Sequence, residues 1–363
     1  MRKISWVAGM AILLCGCQKE VSEGGSTTGT AAPVDVYVAG FVSETYSIIP
    51  AYWKNGERIL IDSAYYTDGR GYVTAVAHSI AVSGKDVYVA GYKRGFNPNR
   101  EAQPFGMYWK NGIEGDVNTV GSQELTSLAV SNNDVYMVGL RGGIWGTGDP
   151  ATYYKNGGDP IDILDGSAGS DATSIAVSGN DVYVAGISIT GSVLNGSQHL
   201  IAKYWKNGNP VSLTNGLTDA YASAIAVSGN DVFVAGTEYN GSLGVAKYWK
   251  NGTAVTLTDS LADMDITSIT VSGGDVYVAG REGNKAIYWK NGQPVQLTDG
   301  SKWALAKSIA VSGNDVYVCG FEEDMAGSGN NVAKYWKNGT PVVLVAGSTY
   351  TNSEAHCIFL APR

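Results

Sequence analysis

The stretch SIAVSGNDVYVAG (Ser174–Gly186) decides the fold. Two short runs of β-branched and aromatic residues flank Ser-Gly-Asn, a tight hairpin signal. Close copies of DVYVAG begin at Asp35, Asp86, Asp134, Asp181, Asp231, Asp275 and Asp315. From the second copy onward a SIAVSGN string precedes each, starting at Ser79, Ser127, Ser174, Ala224, Ser268 and Ser308. YWKNG strings begin at Tyr52, Tyr108, Tyr153 (as YYKNG), Tyr204, Tyr248, Tyr288 and Tyr335. PVxLTDG-type strings follow most of them, as at Pro210–Gly216 and Pro294–Gly300. The period of 40 to 51 residues is that of a repeat architecture.

Each string reads as a strand, so each unit is a four-stranded antiparallel meander: A (SIAV), B (DVYVAG), C (AKYW) and D (PVxL). Strand B is apolar on both faces, with Val36 and Val38 on one and Tyr37 and Ala39 on the other. Such a sheet needs cover on both sides. With no helical segment to supply it, neighbouring units must, as in a β-propeller. The first unit lacks strand A, and the chain ends in AHCIFLA (Ala355–Ala361), which aligns with the strand A at Ala77–Ser83. Six complete units plus one split unit predict an all-β, seven-bladed β-propeller over residues 34–363. Each blade has four antiparallel strands, and the C-terminal strand closes the N-terminal blade.

Residues 1–16 read as a signal peptide: Arg2 and Lys3, then an apolar core over Ile4–Leu14. Leu14-Cys15-Gly16-Cys17 resembles the lipobox of bacterial lipoproteins. That resemblance implies lipid attachment (palmitate among the acyl chains) at Cys17 and a membrane anchor. Residues 17–33 would then be the lipidated N-terminus and a Gly/Ser/Thr-rich tether with a reach of roughly 20–24 Å. Gln18 favours the outer membrane, with periplasmic and cell-surface faces both open.

The repeat resembles those of bacterial exported lipoproteins of unknown function. Its layout is similar to extracellular HAF repeats, and its A–B pair to the inner hairpin of NHL-type propellers. The shared residues are strand and turn positions, so the resemblance implies a fold and no catalytic motif.

Composition narrows the function classes. The chain carries a net charge of −8, and removing the leader leaves 23 basic against 33 acidic residues, a net −10. With no basic run, nucleic acid is excluded as a partner class. Neither GxSxG with an oxyanion loop nor HExxH occurs. The expectation is a monomeric binding or scaffold module for a protein, with glycan capture as the alternative and a hydrolase or lyase third. No cofactor or metal is implied.

Trp53, Trp109, Trp205, Trp249, Trp289 and Trp336 share one position in strand C and read as packing between blades. The Asp opening each DVYVAG is expected to cap its own SGN turn. The A–B and C–D turns are short and uniform, while the B–C and D–A loops vary and fall on the opposite face, where function belongs. The candidate binding residues there are Trp145, Trp303, Tyr66, Tyr72, Tyr221, Tyr239, Tyr350, Arg94 and Arg141. His78 and His356 share the position just before strand A, beside the central channel. The other units place Thr126, Thr173, Ser223, Thr267 and Lys307 there, which reads as a polar rim. Cys319 and Cys357 fall in neighbouring blades, where a disulfide is allowed, and are expected to be two separately buried thiols.

Overall fold

The computed structural model describes residues 33–44, 47–61, 74–94, 104–115, 117, 122–141, 149–191, 199–241, 243–258, 263–345 and 351–363. These form strands and turns. The chain opens with β1 (Val34–Glu44), β2 (Ser47–Lys54) and β3 (Glu57–Leu60), then β4 (Thr74–Ser83), β5 (Asp86–Arg94), β6 (Pro104–Lys110) and β7 (Ile113–Gly115). It continues with β8 (Ser122–Ser131), β9 (Asp134–Arg141), β10 (Ala151–Lys155) and β11 (Ile161–Ile163). Next come β12 (Ser170–Ser178), β13 (Asp181–Thr190), β14 (His199–Lys206) and β15 (Asn209–Ser212). They are followed by β16 (Ala220–Ser228), β17 (Asp231–Asn240), β18 (Leu243–Lys250) and β19 (Thr253–Thr256). β20 (Met264–Ser272), β21 (Asp275–Glu282), β22 (Lys285–Lys290) and β23 (Gln293–Gln296) form the next set. The last strands are β24 (Ala304–Ser312), β25 (Asp315–Glu323), β26 (Asn331–Lys337), β27 (Thr340–Val343) and β28 (Asn352–Pro362).

The fold is an all-β propeller built from four-stranded antiparallel blades. The expectation of seven blades is corrected. Five four-stranded blades stand as separate sheets, and the remaining strands form one eight-stranded sheet. In that sheet the run β28-β1-β2, with β3 on β2, joins the run β4 to β7 through one parallel contact, Ile48 against Thr74. Repeat counting cannot foresee this fusion, because it arises where β2 and β4 touch and neither repeat string encodes it.

The innermost strands follow one another around an axis: β4 packs on β8, then β12, β16, β20, β24 and β28, which returns to β4. β28 pairs with β1 from Val34↔Pro362 to Ser43↔Asn352. Serine hydroxyls stitch the ring. Ser79 Oγ accepts from Leu128 N at 3.1 Å, Ser127 Oγ from Ile175 N at 3.2 Å, and Ser308 Oγ from Ile358 N at 3.2 Å. The core lies between consecutive sheets. Val36 and Val38 pack with Tyr317 and Cys319 on one side, while Tyr37 and Ala39 pack with Ile80 and Val89 on the other. The six repeat tryptophans are at most 1% exposed, and Tyr154, which replaces the seventh, is 0% exposed.

The uniform turns lock themselves. In the KNG turns Asn55, Asn111, Asn156, Asn207, Asn251, Asn291 and Asn338 adopt φ between 49° and 55°, the left-handed region that Asn tolerates. The Asp of DVYVAG does not cap its own SGN turn, as expected from sequence, but holds the KNG turn across the blade. Asn55 Nδ2 donates to Asp35 Oδ1 at 2.9 Å, Lys54 Nζ lies 3.0 Å from Oδ2, and Val36 N donates to Asn55 Oδ1. Asn55 and Lys54 hold the Asp35 carboxyl down to about 2. The Lys54 ammonium also sits over the Tyr37 ring. The same arrangement recurs at Asp86, Asp134, Asp181, Asp231, Asp275 and Asp315.

Cys319 is a free, buried thiol, so no Cys319–Cys357 bond forms, but Cys357 is disulfide-bonded, which corrects the expectation of two free thiols.

Candidate functional site

Each inner strand slips by one residue against its strand B at the same repeat position, β8 slipping a second time between Ser122 and Glu124. The residues skipped at the shared position are His78, Thr126, Thr173, Ser223, Thr267, Lys307 and His356. A bulge frees a residue from the ladder and re-aims its side chain. The partner of the bulge is the glycine that ends DVYVAG. A Cβ at Gly91 would lie 1.9 Å from Val76 O, and one at Gly320 would lie 2.0 Å from Leu305 O. Close backbone approach therefore demands that glycine.

The freed side chains reach for the next inner strand. Thr126 Oγ1 donates to Thr173 O at 3.2 Å, Thr173 Oγ1 to Ala222 O at 2.7 Å, and Thr267 Oγ1 to Ala306 O at 2.7 Å. His78 does the same through Nδ1, 3.2 Å from Leu125 O. A carbonyl only accepts, so Nδ1 carries the proton and Nε2 presents a lone pair. That Nε2 is buried without a hydrogen-bond partner. His356 Nε2 lies 3.0 Å from Glu354 Oε2. The two imidazoles are 5.4 Å apart, and His78 also packs on Tyr92 at 5.2 Å. The histidines are 1% and 2% exposed, so they lie buried rather than on an open rim. Burial holds the pKa of His78 well below the usual histidine value, helped by His356. Burial also lowers that of His356, against the pull of Glu354. Both are neutral imidazoles at pH 7.

Lys307 is 5% exposed and makes no hydrogen bond or ion pair among the described residues. Its Nζ lies 5.8 Å from the centre of the Phe321 ring. Burial lowers its pKa, opposed by the charges of Glu354 and Asp265.

Two residues before each bulge stands a second tier: Val76, Glu124, Asp171, Tyr221, Asp265, Leu305 and Glu354. Four are acids, which the sequence analysis did not single out. Glu354 accepts from Asn331 Nδ2 at 2.8 Å as well as facing His356. Asp265 accepts from Arg281 Nε at 2.7 Å. Glu124 and Asp171 have no such partner among the described residues, and burial raises both pKa values, that of Asp171 to about 6 with help from Asp149.

Asp171 should therefore carry a pH-dependent cost. A carboxyl whose pKa is raised on folding adds stability below about pH 4 and loses it as pH rises through about 6. A shift of two units is worth about 3 kcal/mol. Asp171→Asn is expected to unfold at higher urea than wild type at pH 8 and together with it at pH 3.5. Coincident curves at pH 8 would show that the carboxylate is not penalised.

Of the residues singled out from sequence, the structure brings Tyr221 and Tyr239 together at 5.9 Å, edge to face. Burial raises the Tyr221 phenol to about 12. Trp303 is half-buried rather than free, packed 5.1 Å from Phe321. Arg94 is exposed at the end of β5, over the Tyr92 ring. Arg141 ends β9. Trp145, Tyr66, Tyr72, Tyr350 and Cys17 lie outside the described residues. The one signal that could have found the acids is their constant offset of two from the bulge residue. Among the described residues no three His, Cys, Asp or Glu are grouped so as to hold a metal ion.

A family model described as the LVIVD repeat matches residues 169–188, one A–B hairpin. No curated protein matches the chain. Among solved structures, a Pyrococcus horikoshii acylaminoacyl peptidase is similar at 14% identity and TM-score 0.48, over 85% of this chain and 52% of that one. A prolyl endopeptidase is similar at 11% identity and TM-score 0.50, over 85% and 49%. The β-propeller domain of the Trilobed protease from Pyrococcus furiosus is similar at 10% identity and TM-score 0.41, over 75% and 96%. The chain spans about half the length of the first two. At these identities the likeness concerns the fold alone.

Proposed function

We propose that this chain is a binding module that captures a partner protein at the loop-face end of its axial ring, tethered to the outer membrane by lipid on Cys17. The contrast between its two faces carries this reading. On the turn face every repeated Asp, Asn and Lys is engaged within its own blade. At the loop-face end His78 Nε2 is buried without a hydrogen-bond partner, and the half-buried Glu124 and Asp171 and the buried Lys307 make no hydrogen bond or ion pair among the described residues. Buried polar groups cost stability when unsatisfied, and a scaffold that tolerates several on one face is suited to a ligand there.

A glycan platform would offer flat, coplanar rings. Tyr221 and Tyr239 meet at 75°, and Trp303 and Phe321 at 48°, which favours a protein segment. The test is cross-linked capture from native envelopes with the full lipidated chain. Tyr221→Ala and Trp303→Ala are expected to weaken capture of the recovered partner about thirtyfold. Lys206→Ala, on the turn face, should leave it unchanged. Equal capture by all three variants would remove the loop-face reading. Palmitate labelling that persists in Cys17→Ala would remove the anchor.

A further inference from the structure

Lys307 and His78 flank His356 on consecutive inner strands, β24, β28 and β4. Their unmet hydrogen-bonding capacities are opposite in kind. An ammonium has three N–H donors, and none of those on Lys307 reaches an acceptor among the described residues. The nearby carboxylates are already engaged, Glu354 by His356 and Asn331, and Asp265 by Arg281. His78 Nε2 is the reverse, a buried lone pair with no donor, its tautomer fixed by the Leu125 carbonyl. Aromatic rings line the cluster, Phe321 beneath Lys307, Tyr92 beside His78 and Phe41 against His356 at 5.6 Å, and His356 with its Glu354 carboxylate stands between the two groups.

We infer that this axial cluster is a seat for a carboxylate bearing an adjacent O–H or N–H donor, its oxygens on Lys307 Nζ and its donor on His78 Nε2. The unit must be compact, because Lys307 and His78 are 5% and 1% exposed. Two sources share this chemistry: a free α-hydroxy acid, and the C-terminus of a peptide, whose carboxylate lies next to an amide N–H. The inference rests on the proposed function only in taking the loop face as the way in.

The test titrates the full chain with glycolate, N-acetylglycine, acetate and N-methylacetamide, reading the histidine side-chain nitrogens by NMR. Glycolate or N-acetylglycine is expected to saturate at a concentration at least tenfold below acetate, with movement of the His78 Nε2 resonance. N-methylacetamide should not saturate. Tighter glycolate assigns the seat to a hydroxy acid, and tighter N-acetylglycine to a peptide C-terminus. Lys307→Met is expected to abolish saturation, and His78→Phe to bring both probes to the level of acetate. Acetate binding as tightly as both probes overturns the proposal, as does undiminished binding in Lys307→Met. The wild-type comparison decides even if a variant fails to fold. Lost carboxylate binding with partner capture still sensitive to Trp303→Ala removes the seat and leaves the loop-face reading standing.

Discussion

Deleting residues 352–363 is expected to abolish cooperative folding. β28 is the innermost strand beside β1 and packs on both β24 and β4. Its Ala355, Cys357, Ile358 and Leu360 are at most 2% exposed. Ile358 and Leu360 alone would forfeit roughly 1.5–3 kcal/mol each. The loss extends to what β28 covers. Val36 and Val38 would lose a neighbour in one core, and Tyr37 and Ala39 in the next. The bonds from Ala333 N to Ser353 Oγ and from Ile358 N to Ser308 Oγ go too. Together these approach the whole ~5–15 kcal/mol by which a domain is stable. β1 would also present a bare apolar edge, open to pairing with another chain. Calorimetry should show no native transition, and the truncated chain should aggregate. A truncated chain with native melting would mean that the ring does not need closure.

The second large effect is expected at Asp165, between β11 and β12. Its side chain is 1% exposed and binds groups from the following blade. Ser188 Oγ donates at 2.6 Å, Lys203 Nζ at 2.9 Å and Trp205 Nε1 at 3.3 Å, while Ser167 donates from its own loop. Burial pushes the carboxyl up, but the bonds from Ser167, Ser188 and Lys203 outweigh it, so the pKa falls well below the usual range. Asp165→Ala would strand the Lys203 ammonium, itself 9% exposed. Removing one member of a buried pair costs about 3–5 kcal/mol. Urea unfolding at pH 7 should show that loss. Asp165→Leu with Lys203→Met should recover much of it, because the pair together is worth far less than either charge alone costs. Because the folded pKa is depressed, the wild-type advantage over Asp165→Asn holds above the unfolded value near 3.8 and fades as pH falls through the folded one. An Asp165→Ala protein within about 0.5 kcal/mol of wild type, the range of ordinary surface changes, would show that the fastening is idle.

The sequence by itself determined what is local or periodic. The runs SIAV and DVYVAG became β12 and β13 because β-branched and aromatic residues suit a half-buried pleat. Asn207-Gly208 made a hairpin because both residues accept positive φ. The two apolar faces of Val36–Ala39 required sheets on either side, and AHCIFLA required β1 as its partner. The tertiary structure alone decided the rest. The fusion of two runs into one eight-stranded sheet depends on a single contact, Ile48 with Thr74. Asp86 serves the KNG turn and not its own because antiparallel pairing brings Asn111, 25 positions away, within hydrogen-bond reach of its carboxylate. Lys307 reads along the chain as an ordinary surface lysine, like Lys206. A one-residue bulge aims it at the axis, where strands from successive repeats converge and water is displaced. The same bulge row brings His78 beside His356, 278 positions along the chain. Residue identity is written in sequence, but the dielectric and the neighbours that give it chemistry come from ring closure.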